Sequence, residues 1–217
     1  MKVLALSDIH GAVDNVEEIL DRETGYDLVL VAGDITDTSA DDYTGTAAEI
    51  LELLNERAPM VKGVPGNMDD DRILELLIDN RVNLHKSMFS MQGYDIVGFG
   101  GGRTPFDTPF EPEDSERGSV LEQLLGRTTA ARTAVVSHEP PHGTAADVTS
   151  DGDHVGSEAL RRLMDDRDID LVLSGHIHEA RAIDTVAGTT VVNPGPVQEG
   201  RYAVLELGDG VDADLRG

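Results

Sequence analysis

The sequence predicts an α/β protein whose first half contains a parallel β-sheet, and three observations support this prediction. Short apolar runs that suit buried strands alternate with segments that have helical hydrophobic spacing. Each strong apolar run ends in a polar or glycine-containing turn, as the strands of a βαβ unit do. The chain of 217 residues is 39% hydrophobic and 27% charged, which suits a folded core and excludes a disordered acidic chain. We expect one domain over residues 1–217.

The first 80 residues are predicted to form a βαβαβ unit. Strands are expected at residues 3–6, 28–32 and 60–64, and helices at residues 13–20, 47–55 and 70–80. Val13, Val16 and Leu20 fall on one face of the first helix. Pro59 ends the second helix, because a proline disfavours helical backbone at the residue before it. The three consecutive acids at 69–71 suit the positive N-terminal end of the third helix.

After Asn80 the predicted elements become shorter. Strands are expected at residues 82–84, 88–91, 96–99, 134–136, 171–173, 180–186, 189–192 and 202–207. A short helix is expected at 120–125, and a longer one runs from an N-cap at Ser157 to about Asp166. Residues 100–118 and 139–156 are predicted as long loops, and loops of this length inside a compact domain are usually functional.

The composition is strongly acidic. There are 17 basic and 42 acidic residues, which gives a formal charge of −25 that is spread evenly over both halves of the chain. The even spread favours adaptation to a salty cytoplasm, as in halophiles, over an acidic surface for one basic partner. Binding of long nucleic acid is disfavoured because no basic patch is visible. Because cysteine is absent, disulfides and thiolate metal sites are excluded.

The hydrophobic pattern predicts no membrane association. No apolar run approaches the roughly 20 residues that a membrane-spanning helix needs. The apolar run at the N-terminus turns polar after six residues, which is too short for a secretory signal. We therefore expect a cytoplasmic protein, and a homo-oligomer remains open.

Polar side chains that can bind metal follow the strongest predicted strands. They are Asp8, His10, Asp34, Asn67, His138, His176 and His178. Ligands of α/β sheets bind at the carboxyl ends of the strands, so we expect these side chains to converge on one edge. Four imidazoles, two carboxylates and one amide suit Mn, Fe, Zn, Ni or Co better than calcium. Seven ligands exceed what one tetrahedral zinc uses, and they favour two metals bridged by a carboxylate and a water-derived hydroxide.

Five sequence blocks in this order resemble the calcineurin-like metallophosphoesterases. They are Asp8-Ile9-His10, Gly33-Asp34-Ile35-Thr36-Asp37, Gly66-Asn67-Met68-Asp69, Ser137-His138 and Gly175-His176-Ile177-His178. Most of the blocks alone are ordinary turn chemistry, although the histidines at 176 and 178 point the same way from an extended chain and are more specific. The prediction depends on the combination of all five. The resemblance extends from residue 3 to about residue 196. It implies an α/β fold built as a four-layer αββα sandwich, with two mixed β-sheets and a dinuclear metal site at the strand ends.

The resemblance also implies a role for each matching residue. Asp8, His10 and His178 would hold the first metal, Asn67, His138 and His176 the second, and Asp34 would bridge them. Asp37 and Asp69 would orient ligands or stabilise loops. The implied cofactors are two divalent transition-metal ions, with Mn expected and Ni, Fe, Zn or Co as alternatives. The implied reaction is in-line attack on phosphorus by the hydroxide that bridges the metals.

Met68 departs from the better-known family pattern, in which many phosphatases have histidine at this position. A thioether cannot donate a proton to a leaving group. In this respect the chain resembles the small bacterial and archaeal branch that lacks the histidine and often acts on phosphodiesters. His142 is the candidate replacement acid, because Pro140 and Pro141 stiffen its loop. The alternative is an exposed loop histidine, and His154 is a weaker candidate.

Arg103 is the candidate substrate-binding residue, because a guanidinium can hold a phosphate by two hydrogen bonds. The alternative is that Arg103 pairs with one of the many surface acids. His85 is expected to be structural.

The leading prediction is a metal-dependent phosphoesterase that prefers small phosphodiesters. A promiscuous phosphomonoesterase is the alternative within the same class. A nuclease acting on long nucleic acid is disfavoured by the charge, whereas short or cyclic nucleotides remain open as substrates. An alternative of another class is a non-catalytic protein-interaction scaffold, since the retromer scaffold subunit has a similar fold. The four candidate metal-binding histidines disfavour the scaffold.

Overall fold

The computed structural model describes all residues, 1–217, as eleven strands, five α-helices and two 3-10 helices. The strands are β1 (Lys2–Leu6), β2 (Leu28–Val31), β3 (Val61–Gly63), β4 (Ser87–Met91), β5 (Tyr94–Phe99), β6 (Arg132–Ser137), β7 (Leu171–Leu173), β8 (Ala182–Val186), β9 (Thr189–Asn193), β10 (Tyr202–Leu207) and β11 (Val211–Arg216). The α-helices are α1 (Val13–Arg22), α2 (Tyr43–Arg57), α3 (Asp71–Asp79), α4 (Asp114–Leu125) and α5 (Glu158–Asp166). The 3-10 helices are His178–Ala180 and Val197–Glu199.

The strands form two mixed sheets. The first sheet has five strands in the order β11-β10-β1-β2-β3, and the second has six in the order β4-β5-β6-β7-β9-β8. Strands β1, β2 and β3 are parallel, as expected for the βαβαβ unit, and β10 and β11 join them antiparallel. In the second sheet β5, β6, β7 and β9 are parallel, and the antiparallel strands β4 and β8 form its edges.

Three hydrophobic clusters lie between the four layers of the fold. Successive side chains of a strand point to opposite faces of its sheet, so each sheet contributes to two clusters. Leu4 and Leu6 of β1 pack with helices α1 to α3, whereas Val3 of the same strand faces the second sheet. Ala134 of β6 faces the first sheet, and Val135 packs with α4 and α5. The layers are therefore helices, sheet, sheet and helices, which confirms the four-layer αββα prediction.

Helix starts follow local sequence signals. Asp42 accepts a hydrogen bond from the backbone of Gly45 at the start of α2, and Asp70 caps α3. Ser157 accepts from the backbone N–H of Leu160 at 3.0 Å, which confirms the predicted cap of α5. The longest helix, α2, has 15 residues, and none of the helices has the length and apolar composition needed to cross a membrane.

Four element predictions are wrong in part. Within residues 82–84 only Asn83 is paired, in one isolated bridge with Gly63. The strand predicted from 180 begins at Ala182, because residues 178–180 form a 3-10 turn. Helix α4 begins at Asp114 rather than at 120, so the loop predicted at 100–118 ends at 113. Gly118 suggested a loop, but it lies inside the helix, where α4 approaches Ala159 of α5 too closely for a larger side chain. The C-terminal strand β11 was not predicted. Its two aspartates alternate with Ala213 and Leu215, whose side chains pack against the hydrophobic cluster between the two sheets.

Candidate metal centre

The seven predicted ligands lie together in loops that follow β1, β2 and β3 of the first sheet and β6 and β7 of the second. Backbone hydrogen bonds join neighbouring loops. The Asp8 N–H donates to the Gly33 carbonyl at 3.0 Å, and the His10 N–H donates to the Asp34 carbonyl at 2.9 Å. The Gly175 N–H donates to the His138 carbonyl at 3.0 Å. The carboxyl ends of strands from both sheets therefore meet at one edge.

A first group of donor atoms comprises Asp8, His10 and His178. The Nε2 atoms of His10 and His178 are 3.3 Å apart, and His178 Nε2 is 3.3 Å from Asp8 Oδ1. One ligand atom of each residue lies within 4.8 Å of the others. Three donors converging this closely can hold one cation.

A second group comprises Asn67, His138 and His176. Asn67 Oδ1 lies 2.9 Å from His138 Nε2 and 2.8 Å from His176 Nδ1. His138 and Asn67 are buried. These three atoms form a second convergent set of an oxygen and two imidazole nitrogens.

Asp34 lies between the two groups. Its Oδ2 is 3.7 Å from His10 Nε2 and 3.4 Å from His138 Nε2, which belong to different groups. Its Oδ1 accepts a hydrogen bond from the backbone N–H of Met68 at 2.7 Å. This contact holds the carboxylate so that Oδ2 faces both sets of imidazoles, the position that a bridging ligand needs.

Backbone carbonyls determine which nitrogen of two histidines faces the site. His138 Nδ1 is 2.7 Å from the Ala32 carbonyl, so Nδ1 bears the hydrogen and Nε2 is left for a metal. His176 Nε2 is 3.2 Å from the Arg103 carbonyl, so in this residue Nδ1 is left for a metal. In each ring the other nitrogen lies against Asn67 Oδ1, at 2.9 Å in His138 and 2.8 Å in His176, so the carbonyl contacts would favour these ring orientations if a cation replaces the Asn67 contact. Asp8 also clusters with Asp34 and His138 within 4.8 Å, so the donor atoms fit divalent cations in type and can be divided between two neighbouring sites.

Unusual backbone conformations are concentrated at these ligands. Nine non-glycine residues have positive φ, and four of them are ligand candidates: Asp8 (52°), His10 (47°), Asp34 (50°) and His176 (72°). Positive φ is costly for residues with a Cβ, and such strain is typical of functional sites. Gly33, with φ of 100°, has no alternative, because a Cβ there would lie 2.5 Å from His138 Nδ1. Placement of the ligands thus takes precedence over local backbone preference.

The pKa values of the ionisable side chains in the site depend on the charges of their neighbours. Burial opposes ionisation of Asp8, but its hydrogen bond with His178 and the charges of His138 and His178 hold the pKa of Asp8 below its ordinary value. Burial alone would lower the pKa of His138, yet the charges of Asp34 and Asp8 raise it to about 9. Burial and the charge of His138 lower the pKa of His176. In the metal-free site, the positive charge of protonated His138 therefore offsets the negative charges of the buried carboxylates. A bound cation can supply that positive charge instead.

Asp69 joins the loops that position the second group and Asp34. It is fully buried, and its carboxylate accepts from the backbone N–H groups of Ile35, Thr36 and Gly66 at 3.2, 3.1 and 2.8 Å. Burial and the nearby charge of Asp34 raise the pKa of Asp69 to about 7 despite these hydrogen bonds. The contacts agree with the loop-stabilising role expected for Asp69.

Neither Asp37 nor His85 hydrogen-bonds to any of the seven ligand side chains. The Asp37 carboxylate accepts from the backbone N–H of Ser39 at 2.8 Å and so stabilises its own loop. His85 is buried, its ring centroid lies 4.9 Å from that of Phe99, and it accepts from the backbone N–H of Gly100 at 2.8 Å. Burial lowers the pKa of His85 to about 4, so this side chain is neutral and structural, as expected.

Arg103 lies beside the metal centre, and its guanidinium contacts an acid. One of its terminal nitrogens is 3.2 Å from Glu139 Oε1. Glu139 is buried directly after His138 and also pairs with the buried Arg117 at 2.8 Å. The acid is therefore part of the interior and not one of the surface acids considered from the sequence.

His142 makes no hydrogen bond through its ring to the seven ligands. Its ring centroid is 5.7 Å from that of His154, and His154 Nδ1 is 2.6 Å from the buried carboxylate of Asp147. Asp147 also accepts from the backbone N–H groups of Gly143 and Thr144, so it stabilises the loop that contains both histidines. The acid role of His142 remains a prediction.

Three residues of the site were not found from the sequence. Thr108 accepts a hydrogen bond from the amide of Asn67 at 3.2 Å, and Glu139 and Arg117 form the buried ion pair behind Arg103. Thr108 lies in an irregular loop and gave no signal. The position of Glu139 next to His138 was a usable signal, since residues adjacent to ligands often support them.

The family of the chain follows from comparison with known proteins. The sequence model of the calcineurin-like phosphoesterases matches residues 1–180. The chain belongs to this family, so it is a metallophosphoesterase, a hydrolase that acts on phosphoesters, and the resemblance drawn from the sequence blocks is confirmed.

Similar proteins support the fold. The uncharacterized protein MJ1162 of Methanocaldococcus jannaschii is 34% identical over 205 residues, which cover 90% of this chain and 88% of that protein. The structure of TT1561 of Thermus thermophilus superposes with a TM-score of 0.77 at 20% identity, covering 98% of this chain and 97% of that one. An archaeal phosphodiesterase superposes with a TM-score of 0.51 at 16% identity over 100% of both chains.

Proposed function

We propose that this protein is a two-metal phosphodiesterase that hydrolyses small phosphodiesters at the edge where its two sheets meet. The observation that supports this most directly is the position of Asp34 Oδ2 between His10 and His138, one from each donor group. When bound, the two cations would supply an activated water-derived nucleophile and would neutralise charge on the phosphoryl oxygens.

The protein's own residues would bind the two cations and orient the side chains that bind them. Asp8, His10 and His178 would bind the first cation, and Asn67, His138 and His176 the second. The Ala32 and Arg103 carbonyls fix the ring orientations, and the Met68 N–H fixes the shared Asp34 carboxylate. Because these supports are in place before substrate arrives, little reorganisation is needed at the moment of reaction. We propose Mn as the metal, with Ni, Fe, Zn or Co able to occupy the same donor set.

The diester preference is proposed from Met68. The thioether cannot protonate a leaving group, so monoesters with poor leaving groups should react slowly. His142 is proposed as the acid that protonates poor leaving groups, because the stiff loop after His138 could hold it near the metal centre. An archaeal phosphodiesterase shares this fold, which is compatible with diester hydrolysis.

Arg103 is proposed to bind the phosphate group. Its backbone carbonyl touches His176, which places the residue at the rim of the second donor group. Glu139 holds one edge of the guanidinium, and the buried pair of Glu139 with Arg117 keeps that carboxylate in place. A guanidinium oriented in this way can meet a phosphate with less loss of conformational freedom.

We propose that the acidic surface is an adaptation to a salty cytoplasm. At about 1 M salt the Debye length is about 3 Å, so mutual repulsion within a charge of −25 is largely screened. The same surface would repel long polyanions and leave small phosphoesters as substrates.

The proposal is tested by restoring metal to metal-stripped protein. Mn, Ni, Zn or Fe is added, and hydrolysis of methyl p-nitrophenyl phosphate is compared with that of p-nitrophenyl phosphate at low and molar KCl. The diester and the monoester share a leaving group, so the comparison isolates the preference between them. We expect faster metal-dependent hydrolysis of the diester. A faster monoester would favour the promiscuous phosphomonoesterase, and no metal-dependent hydrolysis of either substrate would refute the proposal.

A further inference from the structure

One aromatic side chain is exposed on the loop beside the metal centre. Phe106 is 82% exposed, whereas the next most exposed large hydrophobic residue, Ile78, is 53% exposed. A side chain this exposed adds almost nothing to folding through burial. Phe106 is the only aromatic residue among the exposed large hydrophobic residues of the chain.

The loop that contains Phe106 is attached at both ends to residues of the second donor group. On the N-terminal side, the Arg103 carbonyl lies 3.2 Å from His176 Nε2. On the C-terminal side, the Thr108 hydroxyl accepts from the Asn67 amide at 3.2 Å, and the Phe110 N–H donates to the Asn67 carbonyl at 3.1 Å. Residues 103–108, here called the rim loop, therefore begin and end at the edge of the metal centre.

The rim loop holds its shape without the phenyl ring. The Glu111 carboxylate accepts from the hydroxyls of Thr104 and Thr108 at 2.7 and 2.5 Å and from the Thr108 N–H at 2.8 Å. The Phe106 N–H donates to the Thr104 hydroxyl at 3.1 Å. These bonds involve backbone and neighbouring side chains, so replacing the ring should leave the loop conformation intact.

The covalent reach of the chain keeps Phe106 close to the site. An extended chain spans at most about 3.6 Å per residue, so the Phe106 Cα lies within about 7 Å of the Thr108 Cα and about 11 Å of the Arg103 Cα. Both of these residues contact ligand candidates. Phe106 is therefore held at the rim of the metal centre, where a planar group against its ring and a phosphate at the metals could belong to one small substrate.

We propose, on the basis of the proposed phosphodiesterase function, that Phe106 stacks against an aromatic base of the substrate and that the substrates are small nucleotide diesters. Stacking of a base on an aromatic side chain tolerates any base, because every base has a π-face. The chain's charge of −25 disfavours long nucleic acid, so the aromatic group belongs to a mononucleotide or a short nucleotide ester.

The test compares two diesters that release the same p-nitrophenolate: p-nitrophenyl thymidine 5′-phosphate and methyl p-nitrophenyl phosphate. Metal-loaded wild type is compared with Phe106→Ala, Phe106→Leu and Phe106→Trp, and with Ile78→Ala as a control for another exposed apolar residue. The quantity measured is the ratio of kcat/KM for the thymidine ester to that for the methyl ester. The oligomeric state of each variant is measured by analytical ultracentrifugation.

We expect Phe106→Ala and Phe106→Leu to lower this ratio about tenfold, while Phe106→Trp and Ile78→Ala preserve it. The methyl ester should react at an unchanged rate in all variants. An unchanged ratio in Phe106→Ala, with both esters still hydrolysed, would overturn the stacking proposal and leave the phosphodiesterase intact. The stacking proposal would also be overturned if Phe106→Ala changed the mass of the assembly but left the kcat/KM ratio unchanged, since the ring would then belong to a subunit contact. Failure of wild type to hydrolyse either ester would instead overturn the proposed function.

Discussion

The side-chain amide of Asn67 donates a hydrogen bond to the hydroxyl of Thr108 at 3.2 Å, and this contact decides which amide atom faces the metal centre. The Thr108 hydroxyl gives its own hydrogen to the Glu111 carboxylate at 2.5 Å, so it can only accept from Asn67. The amide nitrogen is thereby held away from the site. Asn67 Oδ1, the atom able to bind a cation, is left facing His138 and His176.

Replacing Thr108 by valine should therefore weaken metal binding. Valine keeps the shape but can neither hold the amide nitrogen nor contact Glu111, and loss of such a support typically costs 10- to 100-fold in metal affinity, so we expect a loss of roughly that size. Isothermal titration of metal-free protein with Mn measures the effect. Thr104→Val is the matched control, because Thr104 also donates to Glu111 but does not contact Asn67. Equal affinity of Thr108→Val and wild type would show that the contact does not orient Asn67.

Metal binding should release protons in a pH-dependent way. The charges of Asp34 and Asp8 raise the pKa of His138 to about 9 in the metal-free protein, above its ordinary value of 6.5. A protonated imidazole cannot bind a cation, so a proton must leave whenever metal enters below about pH 9. The apparent affinity should rise with pH and level off above that value. Calorimetry in two buffers of different ionisation enthalpy at pH 7 measures the released protons, and finding none would contradict the assignment of His138.

A proton donor at His142 should matter only for poor leaving groups. We expect His142→Ala to slow an alkyl diester roughly a hundredfold, within the usual range for general acid catalysis, and to leave a p-nitrophenyl diester almost unchanged. His154→Ala serves as the control for loss of the neighbouring ring, since the two centroids are 5.7 Å apart. Full turnover of the alkyl diester by His142→Ala at saturating metal would exclude the acid role.

Thermal stability should increase with salt. Raising KCl from about 0.1 M to about 1 M shortens the Debye length from about 10 Å to about 3 Å and screens repulsion within the charge of −25. We expect the Tm of metal-loaded protein to rise over this range, measured by circular dichroism. Sucrose acts on stability without screening charge and is the comparison solute. A constant or falling Tm in KCl would contradict the adaptation to salt.

The sequence was sufficient to predict the architecture because alternation and ligand order are local signals. Strand β2 and, after Lys2, strand β1 are uninterrupted apolar runs, as expected for strands covered on both faces, and each is followed by an aspartate of the site. The cap at Ser157 placed the start of α5 correctly. The family blocks then supplied the second sheet and the four layers.

The remaining features depend on tertiary contacts that a linear pattern does not contain. Strand β11 is rich in acids and is stabilised by pairing with β10, so its own sequence gave little indication. The role of Thr108 depends on a loop that brings it into contact with Asn67, which lies 41 residues earlier in the chain. Arg117 was not recognised as buried because its partner Glu139 lies on another element. Such pairings become visible only when the loops are placed.

The central claim is a dinuclear centre whose two donor groups share Asp34, and metal stoichiometry tests it most directly. Metal-free wild type, Asp34→Asn and Asp37→Asn are loaded with Mn, dialysed and analysed for bound metal by mass spectrometry, together with hydrolysis of methyl p-nitrophenyl phosphate. Asp37→Asn removes the same charge from a nearby carboxylate that contacts only its own loop. We predict two Mn per chain and full activity for wild type and Asp37→Asn, and at most one Mn with loss of hydrolysis for Asp34→Asn. Two retained Mn and unchanged hydrolysis in Asp34→Asn would contradict the shared-ligand centre.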